Sequence, residues 1–164
     1  MAPIWRWIGW AGAQTKQALS ALFLDAVLEK VSVENFVKSC LEALKNYSNP
    51  DEIDLIANTP TVLRILHTCS NDDQKAVSRC VSIMSEGMSF FHGRQNQAGL
   101  QDLAEFEKYC YVVAGVVGEL LTTIFGNHSR AFEKELAGHE NLAIAFGQAL
   151  QMTNILKDSP EDKA

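Results

Sequence analysis

The chain has 164 residues, 47% of them hydrophobic and 21% charged, with a formal net charge of −6. That length suits one folded domain able to bury roughly two-thirds of its unfolded surface. An acidic balance without a basic stripe excludes a protein that works by neutralising nucleic-acid phosphates.

Residues 1–13, MAPIWRWIGWAGA, carry Trp5, Trp7 and Trp10 beside Arg6. The apolar core is too short and interrupted for a signal peptide. Two readings stay open: a segment that dips into a membrane surface, or a loosely packed start. Gln14–Lys30 is predicted helical, with Leu19, Leu22, Phe23, Ala26 and Val27 on one stripe and Asp25 and Glu29 four residues apart on one face. Ser32 is the expected cap of a helix over Val33–Asn46. Asn49-Pro50 breaks the chain, Asp51–Ala57 reads as a short helix, and Thr59-Pro60 reads as the start of another that reaches about Thr68.

A long helix is predicted over Gln74–Phe91, with Val77, Val81, Met84, Met88 and Phe91 on one side. Gly87 inside it suggests close approach of another element. Gly93–Gly99 is a polar turn. Asp102–Phe125 is the longest helical pattern and becomes apolar on all sides, which makes it central to the domain. Gly115 and Gly118 lie within it, and Gly126-Asn127 is its expected end. A short charged helix follows over Arg130–Leu136, and Gly138 breaks the chain. Cys40, Cys69, Cys80 and Cys110 have no CxxC spacing. Three of them stand in apolar helical surroundings, so buried free thiols and a reducing compartment are expected. No run is read as reaching the roughly 18 apolar residues that a spanning helix needs. No segment of strand period appears, so the fold class is all-α, with about six to eight helices.

The last stretch, Leu142–Asp162, combines an apolar helix with a polar stripe. Leu142, Ala145, Phe146, Ala149, Met152, Ile155 and Leu156 are expected to supply its buried surface. Gln151, Asn154 and Asp158 are three and four residues apart and share a face, with Glu161 and Asp162 just beyond. Amides and carboxylates lined up on an apolar helix mark either a solvated helix end or a site. Carboxylates in an apolar cleft are paired or hold a metal.

Two stretches together resemble the squalene/phytoene synthase family. Tyr109–Gly118, YCYVVAGVVG, is similar to that family's tyrosine-and-VAG helix. Phe146–Asp162, FGQALQMTNILKDSPED, is similar to its second aspartate-rich motif. The resemblance runs from about Asp25 onward. It implies a helical isoprenoid (terpenoid) synthase bundle around an apolar cavity, in which two prenyl diphosphates are joined head to head. It implies Mg²⁺ held by two aspartate-rich helices, a hard cation suited to carboxylate and phosphate oxygens. NADPH is implied only for a reductive squalene route, and no dinucleotide fingerprint is present.

Residue by residue, Asp158 and Asp162 match the family's metal-binding aspartates, with Glu161 beside them. Gln151 and Asn154 match its diphosphate and metal-shell amides. Lys157 stands where an arginine is common, which keeps the charge and loses the bidentate fork. Tyr109 matches the tyrosine thought to assist cyclopropyl formation; an ordinary core tyrosine is the other reading. Met84, Met88, Phe91 and Phe146 match cavity-wall positions as well as plain core. The first aspartate-rich motif has its best counterpart in Asp25–Glu29, DAVLE, where Glu29 replaces an aspartate and Leu28 an acidic residue. Residues 1–24 do not match the family's first helices, and Ala164 follows directly on the second motif. The expectation is therefore a partial bundle. It would be either a prenyltransferase at the cytoplasmic membrane face or a non-catalytic helical binding or assembly protein, with a second chain as one way to complete the fold. Pro160 is expected to place Asp162 on a loop.

Overall fold

The computed structural model describes residues 23–28, 31–43, 50–93 and 100–158. All regular structure among the described residues is helical, so the all-α expectation holds. The chain divides into two compact units, Met1–Ser70 and Asn71–Ala164.

The first unit holds α1 (23–27), α2 (Val33–Ala43) and α3 (Pro50–Leu66). Ser32 caps α2 as expected: its Oγ accepts the Asn35 N–H at 3.3 Å and its carbonyl the Phe36 N–H at 3.0 Å. Ala26, Val27, Phe36, Cys40 and Leu63 are buried, and the Phe23 and Phe36 rings meet at 5.9 Å. One expectation is corrected here. Thr59-Pro60 does not start a helix, because α3 runs through Pro60. Pro60 leaves the Ile56 carbonyl without its i+4 donor. The neighbouring Thr59 hydroxyl donates to the Leu55 carbonyl at 3.1 Å, and Pro50 is the proline that opens the helix.

The second unit begins with α4 (Asn71–Gly93). Asp102 then caps α5 (Leu103–Cys110), accepting the Glu105 N–H at 2.8 Å while Glu105 accepts the Gln101 N–H at 2.7 Å. This reciprocal pair satisfies two otherwise orphaned donors. The helix then widens into a single π turn (Tyr111–Gly115) and continues as α6 (Val116–His128). It ends at His128, one residue beyond the expected Gly126-Asn127, and the Ser129 Oγ then caps α7 (Arg130–Leu136) by accepting the Phe132 N–H at 3.3 Å. Gly138 takes φ +83° and leads into α8 (Glu140–Asp158). The positive φ is cheap only for glycine.

The run 103–128 is the centre of this unit and packs against α4 and α8. Cys110, Val112, Val113 and Val116 form its buried side, with Cys80 from α4. Contrary to the sequence reading, this run is long and apolar enough to cross a bilayer by length and composition, with mean hydropathy 1.5. In this structure α4 and α8 pack against it, and 28% of its most apolar window is buried. A Cβ on Gly87 of α4 would run into the Val112 side chain, and one on Gly118 would run into the Ala143 backbone carbonyl. Those glycines set the closeness of the packing.

The close approach also explains why the expected inner face of α8 is wrong. Leu142, Phe146 and Leu156 are 65%, 67% and 75% exposed, and Ala145 and Ala149 are exposed as well. The face that packs is Ala143, Ile144, Gly147, Gln148 and Gln151. A Cβ on Gly147 would collide with the Ala114 carbonyl, so only small or slender residues fit this side, and the bulky apolar residues turn outward. Met152 and Ile155 are half-buried at the margin.

Candidate active site

The second unit holds most of the expected site residues that fall among the described ones. Tyr109 is the penultimate residue of α5 and is half-buried, its ring edge-on to Phe91 at 5.3 Å between centroids. Burial pushes its phenol above the ordinary value, with the neighbouring Cys110 adding to the rise. A phenol raised in this way keeps its proton at neutral pH and acts as a hydrogen-bond donor. Cys110, Cys80 and Cys40 are buried and their thiols are likewise raised by burial; Cys69 is exposed, and none of the four is in a disulfide, as expected from the sequence.

Gln151 lies on α8 and is 3% exposed. Its Nε2 has no hydrogen-bond partner among the described residues. A buried amide N–H without an acceptor costs about 1–3 kcal/mol, so its position calls for an acceptor that arrives from elsewhere. Asn154 and Lys157 are exposed on the same helix, and Asp158 is its last residue. Two helical turns thus carry Gln151, Asn154 and Asp158 in one row, in which Gln151 is buried and Asn154 exposed. Asp25 is half-buried on α1 of the other unit, where its carbonyl accepts the Val31 N–H at 3.3 Å. Glu29, Pro160, Glu161 and Asp162 lie outside the described residues, as do Trp5, Trp7 and Trp10.

Among the described residues no three His, Cys, Asp or Glu side chains cluster to hold a metal ion. By donor chemistry the expected set, Asp158 with Glu161 and Asp162 and Asp25 with Glu29, offers only hard carboxylate oxygens. That suits Mg²⁺ and not a thiolate- or imidazole-seeking metal.

Three polar links escaped the sequence reading. Glu119 of α6 pairs with Arg79 of α4 and accepts the Tyr111 hydroxyl at 3.3–3.4 Å. Gln148 of α8 donates from Nε2 to the Glu107 carbonyl at 3.1 Å. Asp73, 6% exposed at the start of α4, accepts the Asn127 amide at 2.8 Å and meets His128 Nε2 at 3.0 Å. Each includes a contact between residues at least 40 positions apart. Only Glu119 carried a local hint, a carboxylate in the middle of an apolar helix.

The fold is that of an all-α protein of the isoprenoid synthase type, with a half-buried tyrosine on α5 and a row of amides and a carboxylate along α8. A family model described as squalene/phytoene synthase matches residues 17–164, and the chain belongs to that family. Curated relatives agree. A squalene synthase of Cochliobolus lunatus is 34% identical over 71% of this chain and 28% of its own length. One of Botryococcus braunii is 35% identical over 67% of this chain and 23% of its own. One of Cyberlindnera jadinii is 30% identical over 85% of this chain and 35% of its own. The chain therefore spans about a quarter to a third of the length of the curated relatives it matches.

Proposed function

We propose that this chain carries the tyrosine-bearing half and the second aspartate-rich motif of a Mg²⁺-dependent site that condenses two prenyl diphosphates head to head. The observation that carries the reading is Gln151: a buried amide with an unmet N–H, on the helix whose next polar residues are Asn154 and Asp158. A diphosphate oxygen is an acceptor of the kind that N–H lacks. Asn154 and Lys157 would add a neutral and a cationic donor farther out along the same helix. Asp158, Glu161 and Asp162, with Asp25 and Glu29 as the second set, are the residues proposed to hold Mg²⁺. When bound, the ion neutralises charge on the departing diphosphate.

Tyr109, like any phenol, holds its proton at neutral pH, and burial strengthens that hold. It would donate that hydrogen at Oη to the departing oxygen, or steady positive charge with its ring face. Phe91 at its edge, with Met84 and Met88 along α4, would keep water from a carbocation. Because the substrates are greasy, the proposed place of action is the cytoplasmic face of a membrane.

The test is incubation with farnesyl or geranylgeranyl diphosphate and Mg²⁺, following diphosphate release and hydrocarbon product. Tyr109→Phe is expected to impair turnover with little loss of stability. A large stability loss with normal turnover would return Tyr109 to the core. A second reading, a helical binding or assembly protein that acts with another chain, is favoured by the outward Leu142, Phe146, Leu150 and Leu156 of α8. Folded protein that neither binds nor turns over prenyl diphosphate would select it.

A further inference from the structure

Glycine contacts bring α8 close to the 103–128 run without keying it in place. Gly118 and Gly147 meet backbone across the seam, and Gly115 meets the Gln148 stem and the Ile144 Cγ2 methyl; contacts of this kind are close but not directional. A directional contact crosses this seam near the site: Gln148 Nε2 donates to the Glu107 carbonyl at 3.1 Å. That carbonyl also takes the Tyr111 N–H at the entry to the π turn, and its second lone pair serves the glutamine. The Gln148 stem reaches it by crossing over Gly115, where an added Cβ would lie 3.3 Å from Gln148 Cγ. Glu107 is two residues before Tyr109, and Gln148 is three residues before Gln151. The bond therefore ties together the two helices that carry the proposed site.

From this we infer that Gln148 is a positioning residue: its bond to the Glu107 carbonyl sets the register of α8 on the π turn, and with it the placement of Gln151 relative to Tyr109. The importance of that placement rests on the function proposed above; the register itself does not. The geometry asks for a donor at position 148. Leucine keeps the bulk and loses the bond. Glutamate at neutral pH keeps the length but turns a carboxylate on the carbonyl, so it disturbs the register more than leucine does. Once protonated, its carboxyl regains a hydrogen to donate.

The experiment is fluorine NMR of the full chain labelled with 3-fluorotyrosine, in which three tyrosines give three signals to be assigned by Tyr→Phe changes. Gln148→Leu is expected to shift or broaden the Tyr109 and Tyr111 signals. Gln148→Glu should move them further at neutral pH and return them toward wild type on acidification. Ser129→Ala, which removes a cap far along the chain, should leave both in place and so separates register from general loss of stability. Unmoved signals in Gln148→Leu, or equal movement in Ser129→Ala, would overturn the inference. No substrate is present, so this result is independent of whether the chain binds prenyl diphosphate.

Discussion

Replacing Gly118 with alanine places a methyl group against the Ala143 backbone carbonyl of α8. A flexible side chain could rotate aside, but a helix backbone cannot, so α8 must move outward along part of its length. Overpacking of this kind costs about 1–3 kcal/mol, and a backbone obstacle belongs at the upper end. Helix propensity works the other way and returns up to about 1 kcal/mol for Gly→Ala. The net expectation is a destabilisation of about 2 kcal/mol. For a unit of this size that lowers the melting temperature by about 8–16 °C. Gly126 in the same helix is the internal comparison. A Cβ there would meet only Glu133 Cβ at 3.9 Å, an ordinary contact, so Gly126→Ala should raise stability by about 0.5–1 kcal/mol. Urea unfolding followed by far-ultraviolet circular dichroism reads both. Equal signs for the two substitutions would refute the argument that α8 sits against the backbone of α6 through Gly118.

Asp73→Ala removes the acceptor for Asn127 and His128 and should cost about 1–3 kcal/mol in the same assay; an unchanged midpoint would show that the clasp between α4 and the end of α6 contributes nothing. Among the thiols, Cys69 should react with a thiol reagent at pH 8 in the folded chain while the buried Cys40, Cys80 and Cys110 stay protected, and mass mapping of labelled sites checks this. Burial raises the Cys40 thiol from 9.0 to about 11. Below pH 9 both folded and unfolded thiols hold their protons; between 9 and 11 the unfolded one ionises first. Stability of the first unit should therefore fall by about 2–3 kcal/mol across that window, and Cys40→Ala should flatten the decline.

Much of the architecture was legible because local signals agreed with the fold. Ser32 capped α2, Gly138 stopped the chain where a positive φ was needed, and Gly87 marked a close approach. What failed did so for tertiary reasons. The period of α8 correctly marked a helix, but not which side was inward. Its leucines and Phe146 suggested the bulky stripe, whereas contact with the glycines of the 103–128 run required Gly147 and slender neighbours. Thr59-Pro60 carries a start signal that packing of α3 overrode. The π turn at Tyr111–Gly115 has no period of its own to read. In the candidate site, Gln151 and Tyr109 were legible through motif resemblance. Gln148, Glu119 and Arg79 were not, since their partners lie 40 or more positions away.

The most direct test of the central claim is calorimetric titration of the chain with a non-hydrolysable farnesyl diphosphate analogue, with and without Mg²⁺. Binding that requires Mg²⁺ is predicted, with loss in Asp158→Ala and about tenfold weakening in Gln151→Leu, the loss of one charge-assisted hydrogen bond. Absence of binding by the folded chain, or binding indifferent to Mg²⁺ and to both substitutions, would contradict it.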